Sequence, residues 1–248
     1  MKISSDLLSA RWIAACAFPS VAADVTWTGG ANGLGYEWDN SSNWDTGYCP
    51  GSADTARFVN IPRFVSLHDQ GKTQNIATAN ADAVVAGVRF ENDAGIKVHG
   101  GKNLTASFLE AADLESPATN TISAYLVLGV PSMPVFVGEN HTLSVESIKI
   151  TSLGDNSYGL TKTGPGTLNI YNTYGNEYIG TTYVAEGRLN LKAYNAIRAD
   201  LVVGDGVHDA SVVVQDGSHI QTINPVVPIT ILTNGYLRMP AQDTPGTI

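Results

Sequence analysis

Only two cysteines, Cys16 and Cys49, occur in the 248 residues, and Cys16 falls within an N-terminal stretch that reads as a leader. Once that stretch is removed Cys49 stands alone, which excludes an intramolecular disulfide framework and leaves packing to hold the fold. Long apolar runs are lacking too. No window after the leader approaches the roughly 18 to 20 apolar residues of a membrane-spanning helix, so no transmembrane segment is expected there. Basic residues are scarce: 14 Lys plus Arg against 23 Asp plus Glu give a net charge of −9. With no basic run and no aromatic–basic interleaving to attract phosphate, the composition argues against nucleic acid as a partner.

The leader itself combines Lys2 and Arg11, an apolar stretch from Trp12 to Ala17, and the small-residue ending SVAA before Asp24. This is the pattern of a secretory signal peptide over residues 1–23, cleaved before Ala23 or Asp24. The mature protein is then secreted or held at the cell surface. IAAC, ending at Cys16, also resembles a lipoprotein cleavage box, but Arg11 and Trp12 interrupt the apolar run that should precede one.

From about Ala86 the chain offers one short alternating run after another, among them GVRFEN, IKVHG, AYLVLG, TLSVESIKI, GTLNIYN, GRLNLK and SVVVQDG. Most are bounded by Gly, Asn, Asp or Pro, as strands and turns are. Helical periodicity is arguable only in SFLEAADLE, residues 107–115, and SPATN stops it. The fold class is therefore all-β. A glycine shortly before an apolar position recurs at Gly101 with Leu104, Gly138 with Leu143, Gly166 with Leu168, Gly187 with Leu189, Gly217 with Ile220 and Gly235 with Leu237. Those apolar positions lie roughly 17 to 39 residues apart, a degenerate repeat in the range of solenoids. One such unit buries too few apolar side chains to offset the entropy of ordering its backbone. Stacked units share backbone hydrogen bonds and one continuous core, which predicts a β-solenoid.

The stretch YGLTKTGPGTLNIYNTYGNEYIGTTYVAEGRLNLK, residues 158–192, resembles the autotransporter-associated β-strand repeat. Its opening matches at Gly159, Leu160, Thr161, Lys162, Thr163, Gly164, Gly166, Thr167 and Leu168. Its middle matches at Asn172, Thr173, Tyr174, Gly180, Thr181, Thr182 and Val184, and its close at Gly187, Leu189 and Leu191. It departs from the pattern at Ile170, at Tyr183 and over Gly175 to Ile179, where extra residues stand. Residues 27–59 are similar to an N-terminal segment common in such secreted proteins, through Trp27, Asn43, Trp44, Pro50, Gly51, Ser52, Asp54, Thr55, Ala56 and Phe58. The resemblance implies a right-handed parallel β-helix on an exported, often surface-displayed, bacterial protein. The expected organisation is a signal peptide (1–23), an N-terminal capping segment (24–60) and β-helix repeats (61–248). The last residues, MPAQDTPGTI, read like the opening of a further rung, so the repeats are expected to be truncated there.

Candidate sites are sparse. Trp27, Trp38 and Trp44 would either stack on sugar rings or cover the first rung, where an open sheet edge needs protection; the second reading is preferred. Among acidic groups, Glu91 with Asp93, Asp113 with Glu115, and Asp205 with Asp209 are the pairs a β-helix hydrolase or lyase would require, with His99 as a basic partner. Their Gly, Asn and Pro neighbours suggest solvated turns instead. His208 in GDGVHD reads as a loop histidine that would need unseen partners to bind a metal. No catalytic residue, cofactor or metal site is assigned. The sequence thus points to a noncatalytic exported structural or adhesive passenger, with cell-surface polysaccharides or proteins as ligands and self-association through the edge near Gly235 to Met239. The alternative is a carbohydrate-active enzyme or polysaccharide-binding module.

Overall fold

A computed structural model describes residues 22–29, 37–60, 74–77 (backbone), 81–111, 115–215 and 222–239. Strand β1 (Asp24–Thr26) precedes a loop whose described part carries a 3-10 turn, Ser41–Asn43. The chain then winds through β2 (Thr55–Val59), β3 (Gln74–Ala77) and β4 (Ala83–Val84), and through β5 (Gly87–Glu91), β6 (Ile96–His99) and β7 (Asn103–Ala106). Two further windings are β8 (Phe108–Ala111), β9 (Ala118–Ile122) and β10 (Tyr125–Leu128), then β11 (Ser132–Val137), β12 (His141–Val145) and β13 (Ile150–Ser152). After these the described part of each winding shows two strands: β14 (Gly159–Thr163) and β15 (Thr167–Ile170), β16 (Thr182–Val184) and β17 (Gly187–Leu191), β18 (Leu201–Val203) and β19 (Ala210–Val214), β20 (Ile229–Ile231) and β21 (Gly235–Arg238).

Corresponding strands pair in parallel to make three sheets. The first runs β1-β2-β5-β8-β11-β14-β16-β18-β20, the second β3-β6-β9-β12-β15-β17-β19-β21, and the third β4-β7-β10-β13. This is the expected all-β solenoid of parallel strands. No helix among the described residues is long and apolar enough to cross a membrane.

Alternation along each strand sends every second side chain inward. The paired register then turns those positions into rows along the axis. Leu143, Leu168, Leu189, Val212 and Leu237 form one row of the second sheet. Val98, Ile122, Val145, Ile170, Leu191 and Val214 form the next, and all six are buried. Four of the leucines expected from the glycine phrase therefore share one row. Val212 fills the place expected for Ile220, which lies outside the described residues. Leu104 belongs to the third sheet, in register with Leu126 and Ile150. The stretch with arguable helical periodicity is strand over Phe108–Ala111: Leu109 and Ala111 point inward, and Glu110 points outward to Arg89.

Close approach between coils explains the glycines. A Cβ at Gly166 would lie 2.0 Å from the Gly138 carbonyl oxygen, and Gly187 also has φ +73. Polar side chains complete the interior where strands end. Asn120 Oδ1 accepts the Ile96 amide at 2.9 Å. Asn176, within the extra residues 175–179, accepts the Ile150 amide at 2.9 Å and donates to the Ala196 carbonyl at 2.8 Å. Tyr178 beside it is fully buried and bonds Thr182 Oγ1 at 2.8 Å; burial pushes its phenol up to about 12. The insertion thus carries on the third face where named strands stop.

Candidate functional site

Trp27, Trp38 and Trp44 do not offer a platform for sugars. All three are buried, with Trp44 edge-on to both others at centroid distances of 5.0 Å and 86° and 71° between planes. Phe58 touches all three and stacks on Phe90 at 5.4 Å. The Trp44 indole N–H donates to the Trp38 carbonyl at 2.8 Å, which satisfies its polar end inside the cluster. The loop carrying Trp38 and Trp44 also bonds the strand edge: Thr28 N–H donates to Asn43 O at 2.8 Å and Asp45 N–H to Thr26 O at 2.9 Å.

The stretch 158–192 holds a lysine on the inward face of its strand, two residues after Leu160. Lys162 occupies an inward row between Val135 and Val184, and its side chain is wholly buried. The Nζ donates to the carbonyls of Thr163, Gly164 and Glu186 at 2.8, 2.6 and 3.1 Å. Burial draws the ammonium down to about 8, opposed by the Glu186 charge. All three donors are satisfied, so this group ties a corner together.

The acidic candidates separate. Glu91 stands on β5, not in a turn, and accepts from Arg57 Nε at 2.7 Å, while Arg89 reaches Glu110 at 2.8 Å and Asp24 at 3.2 Å. These are outward ion pairs of the first sheet. The Asp93 amide bonds Asn60, Glu115 is exposed, and Asp113 lies outside the described residues. His99 borders a shallow hollow with Lys97, Gly100, Gly101 and Ser123, and burial followed by the Lys97 charge lowers it. Among the described residues no group of three or more His, Cys, Asp and Glu could hold a metal ion.

Asp205 and His208 are brought together. Asp205 Oδ1 accepts the amides of Val207 and His208 at 2.7 and 2.8 Å, and its Oδ2 meets His208 Nδ1 at 2.7 Å. The hydrogen bond to Asp205, reinforced by its charge, raises the imidazole; the reciprocal bond holds Asp205 well below the usual carboxylate range. With Nδ1 turned to Asp205, Nε2 is the nitrogen left for other contacts.

His208 borders an open groove of about 700 Å³ on the outer face of the second sheet. Its floor is one outward row in register, Thr167, Arg188, Ser211 and Tyr236, contributed by four successive strands. At the usual spacing of parallel strands this row spans about 14 Å. Glu186, Asp209 and Asn234 edge the groove, and Tyr236 is 58% exposed. Arg188 also borders a neighbouring hollow that holds Asn190, Gln215 and Arg238. An amide ladder stiffens this face: Asn190 Nδ2 donates to Asn169 Oδ1 at 2.9 Å, and Asn169 Nδ2 to Ser144 Oγ at 3.0 Å. The groove combines an exposed aromatic ring, cationic donors and carboxylate acceptors, a set suited to a ligand rich in hydroxyl groups.

No family model matches the chain, and neither a curated protein nor a solved structure gives a match. What the fold defines is a class, the parallel β-solenoids, in which function resides in the site carried on the coil.

Proposed function

We propose that this protein is an exported, noncatalytic passenger of the bacterial cell surface, an adhesive β-solenoid whose groove over Arg188 and Tyr236 contacts polysaccharide or protein outside the cell. The observation that carries this reading is the division of labour in the second sheet. Its inward rows are largely apolar and buried, while its outward row opens into a long polar groove with an aromatic ring. Such a scaffold supports a contact surface without needing bound cofactors. In this reading the tryptophan-rich segment caps the first coil, and the leader over residues 1–23 directs export. Expressed with its leader in a Gram-negative host, the protein should be accessible to external protease and should increase adherence of the cells to a glycan-coated surface. Retention in the cytoplasm, or display with no change in adherence, contradicts the proposal.

A second reading, a carbohydrate-active enzyme, is favoured by one observation. The Asp205–His208 pair fixes an imidazole at the groove with Nε2 available for proton transfer. Release of reducing ends from a bound polysaccharide, lost in His208→Gln, would establish it over the adhesive reading.

A further inference from the structure

Asp54 is a buried carboxylate, 1% exposed, set between two backbone amides. Its Oδ2 accepts the Gly51 N–H at 3.0 Å and its Oδ1 accepts the Ala23 N–H at 3.1 Å. The salt bridges among the described residues are made by other carboxylates, so among those residues the charge of Asp54 meets neutral donors. A buried charge calls for an opposite charge as well as hydrogen bonds. Ala23 is also tied down on its other side, where its carbonyl accepts the Thr55 N–H at 2.8 Å.

Ala23 lies at the end of the expected leader. Both Ser20-Val21-Ala22 and Val21-Ala22-Ala23 satisfy the small-residue rule for cleavage, so sequence leaves two adjacent bonds open. We propose that export processing cuts the Ala22–Ala23 bond and that the new α-ammonium of Ala23 becomes the counter-ion of Asp54. Hydrolysis by an export endopeptidase adds one water across the amide, leaving a carboxylate on Ala22 and a protonated amine on Ala23. That amine keeps the N–H already directed at Asp54 and adds a positive charge at 3.1 Å. Cutting one bond later would discard both the donor to Asp54 and the carbonyl that receives Thr55. Asp24 would then carry the terminus, and its side chain is engaged with Arg89. Asp54 is thus an N-terminus-binding residue, and leader removal completes the first coil.

This inference rests on the export reading, and the experiment separates the two. The full chain is produced with its leader in a secreting bacterial host and its first residue is read by mass spectrometry. Ala23 is expected. Asp24 overturns the inference and leaves export standing, whereas an intact Met1 in the cytoplasm overturns both. In a second arm, chains beginning at Ala23 and at Ala22 are compared by thermal unfolding, with and without Asp54→Asn. The Ala23 form should melt several degrees higher, and that advantage should vanish in Asp54→Asn. An equal advantage in both backgrounds, or no advantage in either, overturns the pairing. Should Asp54→Asn fail to fold, acetylation of the Ala23 amine replaces it. This removes the charge and keeps an N–H, and should lower the melting temperature by several degrees; an unchanged value overturns the pairing.

Discussion

Lys162 and Glu186, on successive coils, clasp each other's corners. The lysine ammonium donates to the Glu186 carbonyl at 3.1 Å, and the Glu186 carboxylate accepts the amide of Gly164, two residues past the lysine, at 3.0 Å. The ammonium thereby occupies an interior position that neighbouring coils give to valine.

That placement makes stability depend on pH in a definite direction. The folded Lys162 titrates near 8 because of burial, against 10.5 for an ordinary lysine. Below about pH 8 both states carry the proton and the folded state bears the full cost of the buried charge. Between the two values the unfolded chain binds more protons, so stability rises with pH. The wild-type free energy of unfolding should rise between pH 7.5 and 9.5 by up to about 1–2 kcal/mol, and Lys162→Met should remove that rise. Above about pH 10 the buried Tyr178 phenol reverses the trend, since the unfolded chain then loses that proton first. Parallel curves for wild type and Lys162→Met would contradict the account.

Leu189 and Arg188 test the inward and outward rows side by side. Leu189 is wholly buried, and Arg188 is exposed on the same strand. Leu189→Asp should cost about 3–5 kcal/mol by burying an unpaired charge, while Arg188→Asp should cost under about 1 kcal/mol. Denaturant titration distinguishes them, and equal midpoint losses would show that the row assignment is wrong.

Glycine spacing between coils gives a second structural test. A Cβ at Gly166 would meet the Gly138 carbonyl at 2.0 Å and the His141 carbonyl at 2.7 Å, whereas one at Gly101 meets nothing within 4 Å. Gly166→Ala should destabilise by about 1–3 kcal/mol through overpacking, and Gly101→Ala should stay within about 0.5 kcal/mol of wild type.

The last described coil exposes inward-type residues. Ile229 and Ile231 pair with the buried Leu201 and Val203 yet are 43% and 49% exposed. The Ala210 N–H donates to Asn234 O at 3.0 Å, so by the alternation of a parallel ladder the Leu237 amide is directed away from β19. Self-association through this edge is expected, with a mass by light scattering that rises with concentration. Leu237→Pro, which removes the outward donor, should suppress it. Concentration-independent monomers of the wild type would contradict the expectation.

How far the fold could be read from sequence follows from these residues. Leu168, Leu189 and Leu191 were legible because each sits in strict alternation behind a glycine, and the solenoid follows from repeating that phrase. Lys162 was not, since a lysine in LTKTG reads as solvent-facing and only the corner carbonyls make its burial tolerable. Asn120 and Asn176 were missed for the same reason: each is buried to satisfy a backbone amide of a neighbouring coil. The tryptophans left platform and cap both open, with the cap preferred, because either use calls for the same side chain. The groove had no motif to find. Its floor is drawn from Thr167, Arg188, Ser211 and Tyr236, which only the register aligns. The Asp205–His208 pair is local, and the GDGVHD spacing is the one signal that points to it.

The most direct test of the adhesive reading is binding of the purified, leader-processed protein to an array of polysaccharides and surface proteins, in parallel with the double variant Arg188→Ser, Tyr236→Ala. Both side chains are exposed, so the variant should keep the wild-type circular dichroism and melting temperature. The account predicts a reproducible set of bound ligands whose signal falls at least tenfold in the variant, with no release of reducing ends. Wild type and variant giving the same array, whether bound or blank, would contradict it.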